Sequence, residues 1–72
     1  MREYIAVFDR TMMALMFEKA LKRKKIAVSI VPVPRRYSAS CGLACKFPAP
    51  LLDDVKVLCA AQKIEVKAFH AD

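Results

Sequence analysis

Glycine is almost missing from this 72-residue chain: Gly42 is the only one, beside four prolines and a hydrophobic fraction of 57%. That composition excludes a disordered chain, which needs few apolar residues. Histidine also occurs once, at His70, and cysteine three times, at Cys41, Cys45 and Cys59. An odd count does not build a disulfide framework. The spacing Cys41-x3-Cys45 with a distant Cys59 is no zinc pattern, and His70 is a poor fourth ligand. No metal and no cofactor are implied. No apolar run approaches the ~20 residues of a membrane span. Met1-Arg2-Glu3-Tyr4 lacks a signal-peptide pattern and leads straight into a strand, so the expected location is cytoplasmic.

Acidic residues are the scarcer sign of charge. Thirteen Lys and Arg against seven Asp and Glu leave a net charge of +6. Much of the excess sits in Lys22-Arg23-Lys24-Lys25 and in Arg35-Arg36. The first run suits the negative dipole end of a helix. A chain this short buries only about 60% of its unfolded surface and forms one domain, residues 1–72, with a small core.

Hydrophobic periodicity predicts the order βαββαβ. Glu3 to Phe8 reads as a strand apolar on both faces, which places it centrally in a sheet. Asp9 or Thr11 is the expected N-cap of a helix from about Met12 to Lys24. Its buried stripe is Met13, Leu15, Met16, Phe17, Ala20 and Leu21, and Glu18 and Lys22 pair on the wet side. Ile26 to Val33 is a second strand, with Ile26, Val28 and Ile30 on one face. Pro32 and Pro34 put it at an edge. Cys41 to Phe47 is the third strand, with Leu43, Cys45 and Phe47 on one face. Pro48 and Pro50 open a second helix, about Leu51 to Gln62, striped by Leu51 or Leu52, Val55, Leu58 and Cys59. Ile64 to His70 closes the sheet, with Ile64, Val66 and Ala68 alternating with Glu65 and Lys67. The expected fold class is α+β: a ferredoxin-like two-layer sandwich, with a four-stranded antiparallel sheet, strands 1 and 3 central, and two helices on one face. The other face is expected to be open. Either Tyr4, Ala6 and Phe8 or Ile5 and Val7 face it, with Ala27, Ser29 and Val31 beside them.

The densest chemistry lies in Pro34-Arg35-Arg36-Tyr37-Ser38-Ala39-Ser40-Cys41-Gly42-Leu43. A thiol becomes a nucleophile when it loses its proton, and guanidinium charge nearby favours that loss. Cys41 is therefore the candidate reactive residue. Arg35 and Arg36 are candidates for lowering its pKa or for holding an anion; solvated loop charge is the competing reading. Ser38 and Ser40 either donate to a sulfur anion or simply form the turn. Gly42 permits an unusual backbone angle, a close approach or a bulge beside the cysteine. Cys45 and Cys59 read as core filler.

The segments Pro32-Val33-Pro34-Arg35 and Ser38-Ala39-Ser40-Cys41-Gly42-Leu43-Ala44 resemble the selenium/sulfur carrier protein-like family of small bacterial proteins. The helix stretches Ala14–Leu21 and Asp54–Leu58 fit the same family, so the resemblance covers nearly the whole chain. It implies a carrier in which Cys41, with Gly42 behind it, accepts sulfur or selenium as a persulfide or perselenide and passes it on. The implied partners are donor and acceptor proteins, and the implied class is a carrier or binding protein rather than an enzyme. Cys45 and Arg36-Tyr37 are not part of the family pattern.

The competing reading is an interaction module that forms a homodimer through the open sheet face or an edge strand. Nucleic acid is disfavoured, because an RNA-binding sheet needs outward aromatics on its central strands and strand 3 offers only an inward Phe47. A metal chaperone of this topology carries cysteines between strand 1 and helix 1, where Asp9-Arg10-Thr11 has none. Asp53 and Asp54 sit at a helix start, where they serve the dipole rather than acid–base catalysis.

Overall fold

A computed structural model describes residues 2–34, 36, 37 and 42–71. The elements are β1 (Glu3–Val7), α1 (Thr11–Arg23), β2 (Ser29–Pro32), β3 (Leu43–Pro48), α2 (Leu52–Gln62) and β4 (Ala68–Ala71). A short 3-10 turn, Ala49–Leu51, leads into α2. The four strands form one antiparallel sheet in the order β2-β3-β1-β4. This is the ferredoxin-like arrangement, with β1 and β3 central as their apolar character on both faces requires.

Period-two alternation assigns the two faces. Tyr4, Ala6 and Phe8 of the β1 segment pack with Cys45, Phe47 and Phe69 beneath α1 and α2. The helices bring Ala14, Phe17, Leu21, Val55 and Cys59 to that layer. Phe17 is its centre, edge-on to Phe8 at 5.2 Å and tilted against Phe47 at 5.8 Å between ring centroids. Edge-to-face contacts of this kind suit the aromatic quadrupole and add to the area buried. The Glu18–Lys22 pair forms at 3.0 Å.

Both helices end alike. Lys25 and Lys63 take left-handed conformations, with φ of 59° and 57°. The next amides reach back five residues, Ile26 to the Leu21 carbonyl at 3.0 Å and Ile64 to that of Cys59 at 2.9 Å. Each isoleucine then packs on the core, so the turn satisfies a helix-end carbonyl and returns an apolar residue inward.

Four expectations about the helices and strands need correction. The N-cap of α1 is Arg10, and no side chain caps it. Asp9 instead lies 3.6 Å from Lys67. Leu15 is 45% exposed and Ala14 takes its buried place, because the stripe turns about 100° per residue and Ala14 falls between Phe17 and Arg10. The strand β2 is shorter than periodicity suggests, since Ile26–Val28 are used to leave the helix. So is β4: Ile64 and Val66 serve the helix-side core, whereas Ala68 packs on the other face with Ile5 and Val7. The segment from Ile64 to Lys67 is a crossing, not a strand, so its alternation does not continue into β4. The expected strand start at Cys41 lies outside the described residues.

The second face is not open. Ile5, Val7 and Ala44 are buried at its centre, and Val31, Val33, Tyr37 and Ala68 pack over them. The chain after β2 thus turns back across the sheet.

Phe17→Ala should cost about 3–5 kcal/mol, most of what a domain of this size has. Urea denaturation followed by circular dichroism should show the variant largely unfolded in water.

Candidate functional site

The sheet register defines the end of the molecule where the candidate segment is anchored. Val7 pairs with Ala44 and Ala68, so the C-terminal end of β1 meets the N-terminal ends of β3 and β4. The N-terminus of α1 begins at this end. Val31 pairs with Ala44 and Pro32 with Leu43. The ladder then continues for one more bond, Val33 N–H to the Gly42 carbonyl at 3.1 Å. Residues 34–41 form the connection that this bond closes.

Proline and glycine bound that connection for different reasons. Pro32 and Pro34 have no amide to offer the ladder, so pairing stops there. The Tyr37 amide donates to the Pro34 carbonyl at 2.9 Å, the bond of a β-turn. Gly42 has φ +75°, a conformation L side chains rarely adopt. A Cβ placed on it meets nothing within 4 Å among the described residues. Of the roles open to Gly42, the structure supports the unusual angle.

Tyr37 is the described anchor of the connection. Its ring stacks on His70 of β4 with centroids 4.0 Å apart and planes 7° from parallel. The Arg36 guanidinium lies 5.0 Å from the Tyr37 ring centroid. Cation–π contacts of this type are worth about 0.5–1 kcal/mol at exposed sites. The segment therefore starts at the β2 edge and reaches across the sheet to the opposite edge strand, β4. Tyr37 did not stand out in sequence, and His70 read as a lone terminal histidine. One signal was available: His70 is two residues from Ala68 in a strand, so it shares the second face with Ile5, its register partner.

Of the predicted site residues, Arg36 and Gly42 are described, at the two ends of the connection. Arg35, Ser38, Ser40 and Cys41 lie outside the described residues. The charges around this end pair with one another: Arg10 with Glu65 at 2.7 Å, and Lys67 with Asp9 at 3.6 Å. Both pairs are largely exposed and contribute little to stability. Among the described residues, no group of His, Cys, Asp and Glu is placed to hold a metal.

The other two thiols are structural. Cys45 is fully buried, and its Sγ donates to the Ala14 carbonyl at 3.7 Å, which ties β3 to α1. Cys59 is buried beneath α2, and desolvation raises its pKa from 9.0 to about 11. A thiol held neutral in this way is a poor nucleophile at neutral pH.

The chain belongs to the family described as "Putative Se/S carrier protein-like", whose model matches residues 3–71. Among curated proteins and among solved structures there is no match. The family therefore rests on nearly the full sequence, Cys41 and Gly42 included.

Tyr37→Ala should uncover Ile5, Val7 and Ala44 and cost about 1–3 kcal/mol, whereas Tyr37→Phe keeps the stack and should cost well under half as much. Urea midpoints compare the three proteins. Cys59 gives a pH prediction. Its thiol ionises at a lower pH in the unfolded chain than in the folded one. Its contribution to stability is therefore full below about pH 9 and falls as pH rises towards about 11. Denaturation midpoints measured from pH 8 to 11 should decline more steeply for the wild type than for Cys59→Ala.

Proposed function

We propose that this chain is a sulfur or selenium carrier and that the Cys41 thiolate is the carrying group. Membership of a Se/S carrier protein-like family over residues 3–71 is the observation that carries this reading. The fate of the other thiols supports it. Cys45 and Cys59 are both buried, and one of them is held protonated far above neutral pH. Cys41 directly precedes in sequence Gly42, whose φ is +75°.

The transfer balances without an oxidant. The Cys41 thiolate attacks the terminal sulfur of a donor protein's persulfide. A new S–S bond forms at Cys41, the donor's S–S bond breaks, and the donor leaves as a thiolate. The sulfane sulfur changes hands with its proton and no net redox change. Release to an acceptor thiolate repeats the step in reverse, and a perselenide follows the same course. Arg35 and Arg36 favour the anionic form of the thiol or of the cargo by charge, and Ser38 and Ser40 offer hydroxyl donors to the sulfur anion. Arg36 rests against Tyr37, so its charge stays close to the start of the connection. The carrier's partners are donor and acceptor proteins, and its setting is the reducing cytoplasm, where a free thiol persists.

The competing reading, a homodimer through the sheet, is narrowed by the same geometry. Val33 and Tyr37 occupy the second face, which leaves the two edge strands, β2 and β4, as the surfaces for strand pairing.

Intact-protein mass spectrometry after incubation with a cysteine desulfurase and cysteine tests the proposal. The wild type should gain whole sulfur increments that a reductant removes. Cys41→Ser should gain none, and Cys45→Ala and Cys59→Ala, where folded, should load as the wild type does. Equal loading of Cys41→Ser, or no loading of the wild type by either a sulfur or a selenium donor, sinks the assignment.

A further inference from the structure

The connection between β2 and β3 is held at more points than its closure needs. The Val33–Gly42 bond joins its two ends. Pro34 has a fixed φ, and its carbonyl accepts from the Tyr37 amide at 2.9 Å, so the turn presents Tyr37 in one direction. There the Tyr37 ring meets His70 face to face, with centroids 4.0 Å apart and planes 7° from parallel. The Arg36 guanidinium lies over the same ring. His70 is fixed in turn, because β4 pairs with β1 and sets it opposite Ile5. Both rings are half-buried.

Cover for Ile5, Val7 and Ala44 requires only apolar bulk, and Val31, Val33 and Ala68 already supply part of it. A parallel stack on the far edge strand adds something that bulk does not. It fixes where the chain stands at residue 37. Cys41 comes four residues later, directly before Gly42. With the stack formed, four residues, 38–41, join the fixed points Tyr37 and Gly42. Without it, the eight residues 34–41 join Val33 and Gly42. The conformations open to a chain between two fixed points multiply with each residue added. The stack halves the span that bears the thiol.

We propose, resting on the reading of Cys41 as the carrying group, that Tyr37 and His70 are positioning residues whose stack restrains this span and slows the approach of bulky reactants to the thiol. A persulfide that any diffusing peptide thiol reaches is lost by exchange. Restraint slows that loss, whereas a docked acceptor has its own thiol held in place by binding.

The test uses the full chain and no cargo. Alkylation of Cys41 is followed by peptide mass spectrometry with N-ethylmaleimide and with a maleimide carrying a polyethylene glycol chain. The ratio of the two rates, small over bulky, cancels any change in thiolate fraction. It should be higher in the folded wild type than in urea. Tyr37→Leu and His70→Leu keep apolar bulk and lose the stack, and each should lower the ratio at least about threefold. The double variant should lower it no further than the larger single change, since both act through one contact. Tyr37→Phe and His70→Phe keep a stack and should stay close to the wild type. Circular dichroism checks folding; where Tyr37→Leu fails to fold, His70→Leu at the sheet edge decides alone. An unchanged ratio in folded His70→Leu overturns the proposal, as does a wild-type ratio equal to that in urea. Phenylalanine variants that behave as the leucine variants do assign the pair to cover alone and also overturn it. The carrier reading fails separately, when the wild type keeps its ratio yet takes up no sulfur or selenium from a donor.

Discussion

A sheet strand that is apolar on both faces has to be covered twice, and in this chain β1 imposes that demand. Tyr4, Ala6 and Phe8 look to the helices, while Ile5 and Val7 look the other way and are just as buried. Two helices satisfy the first face. Among the described residues no third α-helix covers the second, and a short chain has little else to spend on it. The connection between β2 and β3 does the work, with Val33 and Tyr37 laid over Ile5, Val7 and Ala44. The segment that bears the candidate chemistry is thus also a structural cover. At Val33 and Tyr37 its course is set by hydrophobic burial.

The division of labour among the cysteines follows from the same packing. Cys45 sits on the helix side of β3 because β3 alternates, and Cys59 sits in the stripe of α2 because the helix repeats every 3.6 residues. Each is in place as a small apolar side chain. Burial suppresses the ionisation of Cys59.

The helix-side half of the fold was legible in sequence. Phe17 and Leu21 at a spacing of four, and Leu43, Cys45 and Phe47 at a spacing of two, assign their faces without ambiguity. The prolines at 32 and 34 mark an edge strand for a chemical reason, the missing amide. Where reading failed, a nonlocal event had intervened. Ile64 and Val66 looked like the start of β4, but the turn at Lys63 spends them on the core. The stack of Tyr37 on His70 joins residues far apart in sequence and leaves no periodic trace. For the candidate site, its glycine and its family pattern were visible at once. The aromatic anchor was not, since Tyr37 is the only large apolar ring in an otherwise polar stretch.

That stack carries a consequence for how the molecule is assembled. Tyr37 waits for a partner made more than thirty residues later, on the strand added last to the sheet. While the chain is emerging from a ribosome, β1, α1, β2 and β3 are all present before His70 exists. Through that interval the second face lacks its clamp, and the start of the cysteine-bearing connection lacks its tether. Docking of Tyr37 and the start of this connection onto β4 is therefore a C-terminal event.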